Sequence, residues 1–333
     1  MDFREFMKPE DPDKKRGETP SVKSDVDVEL SARHQEFEKL YQATLDWVQK
    51  IWKEGREGKS LDLASLKQAA EKWSGFLSKG QEGVTFFQPY KAPYYYQNTV
   101  NVALFSVLMG VELQYSQEKL TELATAALLH DIGMSKIDPA ILTKKEKLSF
   151  NEYELIRHHP EQGKEILSSV EGLSSAIVAG VTQEHERENG SGYPEGLRGN
   201  QIHEFAKIIG LADAFEGLTH PRDYRDPISA NEAIMQILSM KGRLFLEKYI
   251  KCFLNVFTFY PVGSYVQLNT NEVGRVFKVD KKAPTRPIIQ LIIDREGVPV
   301  STPQYMNLTE KDLIFVKETL TEEKVRFALE GKK

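Results

Sequence analysis

The chain has 333 residues, 40% of them hydrophobic and 28% charged, with a formal net charge of −5. That balance predicts a soluble globular protein of two or three domains and excludes a general electrostatic grip on nucleic acid, so a small anionic ligand would need a local cluster of Arg and Lys. The single cysteine, Cys252, excludes an intrachain disulfide, and the absence of an apolar leader or a membrane-length apolar run makes the cytoplasm the expected location.

Residues 1–29 are dominated by Lys, Asp, Glu, Pro and Ser and are expected to form a disordered tail or linker. A helix is predicted from Ala32 to Lys53, with Phe37, Leu40, Tyr41, Leu45, Val48 and Ile51 on its apolar face. A second is predicted from Leu61 to Leu77, after the turn "EGREGKS". Together these make residues 30–85 a small helical module, read as regulatory or for dimerisation or docking. From Tyr94 to Phe259 the periodicity is almost wholly helical. After Tyr260, "VGSYVQL", "GRVFKV" and "PIIQLIID" are short, rich in Val, Ile and Tyr, and separated by Asn, Gly and Pro turns. Residues 260–333 are therefore read as a small β-rich segment with an antiparallel sheet. The expected fold class is mainly α, a helical bundle with a short β-rich C-terminal segment.

The chemical signal lies in polar residues that continue apolar helical stripes. In "QEKLTELATAALLHDIG", the stripe Leu120, Leu123, Ala124, Ala127, Leu128 runs into His130 and Asp131, and Gly133 is expected to stop the helix. "SFNE" matches a capping box, with Ser149 as N-cap and Glu152 three residues on. The helix it opens carries Ile156 and then His159, at a boundary marked by Pro160. In the next helix Ile177 and Val181 lead to Glu184 and His185, and in "FAKIIGLADAFEGL" Phe205, Ile209 and Ala212 lead to Asp213. Taken singly, each has a bland reading as a hydrogen-bonded core residue or a helix cap. Six such groups are harder to bury without a partner, because an uncompensated buried charge costs several kcal/mol or more. Divalent metal is the economical partner where imidazoles and carboxylates converge, and an aspartate that bridges two ions suits phosphoester hydrolysis.

"LLHDIG", a later "HP" at His159–Pro160, "HER" before "GSGYPEGLRG", and "LADAFEGLT" followed by "PRDYR" resemble the HD-GYP family in order and spacing. The resemblance covers residues 90–259. It implies an HD-superfamily helical domain that hydrolyses cyclic di-GMP to pGpG and/or GMP with a hydroxide held between two divalent metals, iron first and manganese next. The implied ligands are His130, Asp131 and Asp213 for the first metal and Asp131, His159, Glu184 and His185 for the second, with Asp131 as the bridge. Arg222 and Arg225 are expected to grip a phosphate, and Tyr193, Gly192 and Arg187 to shape the substrate pocket in and beside the glycine-rich loop. Gly190, Gly192, Gly196 and Gly199 suit close backbone approach or positive φ. The loop is also a candidate docking surface for a protein partner, and a homodimer is compatible with the N-terminal module.

Four positions depart from the family pattern. Asn98 and Glu184 stand where the family has histidines, Met134 replaces a lysine, and Asn189 replaces an aspartate. Lys136 is a candidate to supply the missing lysine's charge in catalysis. These departures motivate an alternative reading: a degenerate metal-binding signalling module that binds cyclic nucleotide or a partner protein with little or no turnover. A hydrolase of another nucleotide is a third reading.

Overall fold

In a computed structural model, the structure describes residues 25–80, 93–220, 228, 230–257, 260, 263–280, 283–320 and 322–330. The first helix, α1 (Asp25–Arg56), begins seven residues before the predicted Ala32, so it takes in part of the expected tail; residues 1–24 lie outside the described residues. Its apolar face is buried through Phe37, Tyr41, Leu45, Val48, Ile51 and Trp52. Helix α2 (Leu63–Leu77) starts where the Asp62 carboxylate accepts from the Ala64 and Ser65 amides. The two are pinned together by Trp73, whose indole N–H donates to Thr44 Oγ1 at 2.7 Å.

The centre of the bundle is α3 (Tyr94–Glu112), α4 (Gln117–Leu129), α8 (Ser175–Thr182) and α9 (Glu204–Thr219). Helix α3 is buried on every side from Gln97 to Gly110, which is why its sequence shows no polar face. Helices α1 and α2 cover α3 and α4, while α10 (Ala230–Ser239) and α11 (Glu247–Val256) cover α9 and α3 from elsewhere. Between α4 and α8 run a 3-10 turn (Ile132–Lys136), α5 (Pro139–Leu142), α6 (Phe150–Arg157) and α7 (His159–Ser168). Ser149 and Glu152 form the predicted capping box at the start of α6.

The C-terminal strands β1 (Tyr265–Leu268), β2 (Val273–Lys278), β3 (Ile288–Ile293), β4 (Tyr305–Asn307) and β5 (Val316–Leu320) form one antiparallel sheet in the order β4-β3-β2-β1-β5, followed by α12 (Glu322–Glu330). The chain is thus mainly α with a small sheet. The sheet is continuous with the bundle in packing: Val266, Leu268, Val276 and Ile289 belong to the same buried cluster as the helices. Among the described residues, no helix is long and apolar enough to cross a membrane.

Candidate metal centre

Helix α4 ends at Leu129, and His130 and Asp131 follow at its cap and at the entry to the 3-10 turn. The predicted helix stop at Gly133 therefore comes too late, and Gly133 has a different task. A Cβ there would lie 1.8 Å from the His159 carbonyl oxygen and 2.6 Å from the Gly163 amide. Only glycine lets the turn press against α7, and this contact brings Asp131 to His159. Glu184 and His185 lie just beyond the end of α8, and Asp213 sits within α9.

The ligating atoms of Asp131, His159, Glu184 and His185 all lie within 4.8 Å of one another. Asp131 places Oδ2 3.4 Å from His130 Nε2 and Oδ1 3.4 Å from His159 Nε2. Glu184 Oε1 is 3.3 Å from His159 Nε2 and 3.8 Å from His185 Nε2, and its Oε2 is 3.8 Å from His130 Nε2. His130, His159 and Glu184 are buried, and the Asp131 side chain is 12% exposed.

The ring orientations limit what can occupy this space. His130 Nδ1 lies 2.8 Å from the Ala127 carbonyl, and His159 Nδ1 lies 2.7 Å from the Ile156 carbonyl. A carbonyl only accepts, so each Nδ1 carries the proton, and in the neutral ring each Nε2 presents a lone pair. Those lone pairs face carboxylate oxygens, which is repulsive unless a proton or a cation lies between. Most of the separations are longer than an ordinary hydrogen bond. They instead resemble neighbouring donors on one ion, which ~2.1 Å bonds would set ~3.0–3.4 Å apart. Glu184 Oε2 and His130 Nε2 are both buried with no hydrogen-bond partner. The donor set therefore fits divalent cations, and the fixing of imidazoles through their far nitrogens is the usual support of such ligands.

Without cations the charges strain one another. Burial alone would lower the His130 pKa, but the Glu184 and Asp131 charges outweigh it and hold the imidazole well above its ordinary value. His159 is raised in the same way, against burial, by Glu184 and Asp131. Burial would raise Asp131, yet His130, His159 and His185 hold it far below the usual carboxylate range. Burial raises Glu184, and burial together with His159 lowers His185 well below normal.

Asp213 is not among those four clustered residues but lines the same cleft as Asp131 and His185. Its Oδ1 accepts from Asn98 Nδ2 at 3.2 Å, and the same nitrogen donates to Glu216 Oε2 at 2.7 Å. Asn98 Oδ1 is buried with no hydrogen-bond partner. Two acidic residues here escaped sequence reasoning. Glu216, buried one turn beyond Asp213, accepts from the Tyr94 hydroxyl and from the Asn98 and Asn101 amides. Its only sequence signal was a carboxylate at i+3 from Asp213 within an apolar helix. Glu186, also buried, accepts from the Glu195 and Leu197 amides and so ties the glycine-rich loop to the end of α8.

Asp131, His185, Asp213 and Asn98 line one cleft of about 310 Å³, whose walls include Tyr94, Tyr95, Tyr153, Tyr193 and Met134. Tyr193 stacks on the His185 ring at 4.6 Å and 19°, with Arg157 over its ring. Gly192 is required beside it, since a Cβ would lie 2.4 Å from both Glu186 Cα and the His185 carbonyl oxygen. Arg187 points elsewhere: its guanidinium is spent on the Glu184 and Glu186 carbonyls and lies over Phe245. Lys136 is exposed, with Nζ 3.5 Å from the Arg56 carbonyl, and is not among the residues lining the cleft. Among the described residues, the basic side chain that does line it is Lys144, bound to both Glu152 oxygens at 2.8 Å. Arg222 and Arg225 lie outside the described residues.

Residues 90–246 match the HD-domain family, and residues 265–328 match a KOW domain associated with HD domains. A cyclic di-GMP phosphodiesterase of Pseudomonas aeruginosa is 27% identical over 253 residues, covering 75% of this chain and 61% of the relative. The cyclic di-GMP phosphodiesterase PdeB of Borreliella burgdorferi is 30% identical over 202 residues, covering 61% and 53%. The 3′3′-cGAMP-specific phosphodiesterase 1 of Vibrio cholerae is 36% identical over 148 residues, covering 44% and 34%. The chain thus spans 61% and 53% of the length of the first two relatives.

Proposed function

We propose that residues 90–246, which match the HD-domain family, make the chain a metal-dependent phosphodiesterase of the HD-GYP kind that opens cyclic di-GMP to pGpG and/or GMP. The observation that carries the reading is the set of Nε2 lone pairs of His130 and His159 aimed at the buried carboxylates of Asp131 and Glu184. Such a set binds divalent cations or is strained. Two bound cations would polarise the phosphodiester and acidify water. Mixed imidazole and oxygen donors suit iron first and manganese next.

The protein's own groups supply the rest. The Ala127 and Ile156 carbonyls fix the imidazole tautomers. The tyrosines of the cleft offer flat faces for purine rings. Arg222 and Arg225 are assigned to the phosphate, because guanidinium forks match its oxygens. The cytoplasm is where such a substrate would be met, and the glycine-rich loop beside the cleft is where a partner protein would reach the site.

One observation favours the second reading, a binding module with little turnover. Met134 brings no charge to the cleft, and Lys144 is already neutralised by Glu152. The relatives also include enzymes named for 3′3′-cGAMP, so both cyclic dinucleotides belong in the assay. Protein purified without oxygen and loaded with iron or manganese should hold two ions per chain and yield linear product by chromatography. Tight dinucleotide binding without product at full metal occupancy supports the module instead. Asp131→Ala should lose both ions, and retention of both would refute its bridging role.

A further inference from the structure

We infer that Glu184 is a second bridge between the two cation positions, parallel to Asp131. The inference rests on the two-cation reading above and specifies how this chain holds the pair. Asp131 presents one oxygen to His130 and the other to His159. Glu184 repeats that pattern from just past the end of α8: Oε2 faces His130 at 3.8 Å, and Oε1 faces His159 at 3.3 Å and His185 at 3.8 Å. Each carboxylate therefore has one oxygen on the His130 side and one on the His159–His185 side.

An imidazole at position 184 would bring a single lone pair and serve one ion. A carboxylate brings two oxygens, and here they diverge toward different imidazoles. Glu184 is fully buried, and Oε2 has no hydrogen-bond partner. The group it faces, His130 Nε2, cannot donate in the neutral ring because the ring proton is committed to the Ala127 carbonyl. A cation on the His130 side gives both orphaned atoms a partner at once. The replacement of histidine by Glu184 is then a change of role, from an end ligand to a link.

The test compares wild-type protein with Glu184→His and Glu184→Gln, each reconstituted with manganese(II) without oxygen. Metal content per chain and the electron paramagnetic resonance spectrum are read, and no activity is needed. Wild-type protein should hold two exchange-coupled ions. Glu184→His keeps an end ligand for the His159–His185 side but gives the His130 side nothing. It should bind the second ion at least ~10–100-fold more weakly, the range for losing even an outer partner, and a pair held by Asp131 alone should show weaker exchange coupling. Glu184→Gln has the size of the native residue, so it provides the same comparison if the imidazole does not fit. Two coupled ions of wild-type affinity in Glu184→His, or in Glu184→Gln where only that variant folds, overturn the bridge and leave the two-cation reading standing. Fewer than two ions in the wild-type protein remove that reading and the bridge with it.

Discussion

Glu216 shows how much of the site depends on a residue that touches no proposed ligand atom except through Asn98. Its two oxygens receive the Tyr94 hydroxyl and the Asn98 and Asn101 amides, and Asn101 in turn accepts from the Tyr41 hydroxyl on α1. Glu216→Ala should remove the acceptor these three donors share, leave the buried Asn101 amide unsatisfied, and cost roughly 1–3 kcal/mol, measured by denaturant unfolding. A loss under about 0.5 kcal/mol, the scale of a neutral surface change, would contradict this account. The six ligand candidates were legible in the sequence because each interrupts an apolar stripe with a group that burial penalises. Glu216 interrupts one too, but it follows Asp213 so closely that one signal hid the other. Arg187 illustrates the opposite limit. Its charge suggested substrate, while its position just past the end of α8 gave it two free carbonyls to satisfy.

At the scale of elements, the centre is built by the junctions between helices. Asp131 and His159 meet because the 3-10 turn and the first turn of α7 touch backbone to backbone at Gly133. Gly133→Ala would force a Cβ to within 1.8 Å of the His159 carbonyl, so the turn and α7 must separate. The expected result is destabilisation on the order of 3 kcal/mol or more, together with loss of metal uptake. A Gly133→Ala protein with wild-type metal content would show that the junction is dispensable. The sequence marked the end of α4 but misassigned the reason for the glycine, since close approach and helix termination leave the same letter. The N-terminal helices show a related limit. Their apolar faces were readable, but not that α1 would reach the turn itself, where Arg56 Nε donates to the Ser135 carbonyl at 2.9 Å and Trp52 stacks on Tyr95 of the cleft wall. Periodicity reports that a face is buried and is silent about which element covers it.

At the scale of the whole molecule, the buried charges couple stability to pH and to metal. Folding raises the pKa of His130 and His159 above the ordinary 6.5, because Glu184 and Asp131 outweigh the burial that would lower them. A group raised by folding contributes stability that is fully present below its unfolded pKa and is lost as pH rises through its folded value. The metal-free protein should therefore lose this contribution progressively as pH rises from about 6.5 through the raised folded-state values, above which the Nε2 lone pairs face the carboxylates unprotonated. Asp131 acts in the other direction: its lowered pKa contributes stability above the ordinary carboxylate range and loses it only in strong acid. Cations need the deprotonated imidazoles, so they bind best where the metal-free protein is weakened. The gain in Tm on adding manganese should accordingly grow between about pH 6 and pH 8, with protons released on binding, as scanning calorimetry and titration in buffers of different ionisation enthalpy would record. A gain that is flat or shrinks over that range would mean that these imidazoles are not where the cations bind.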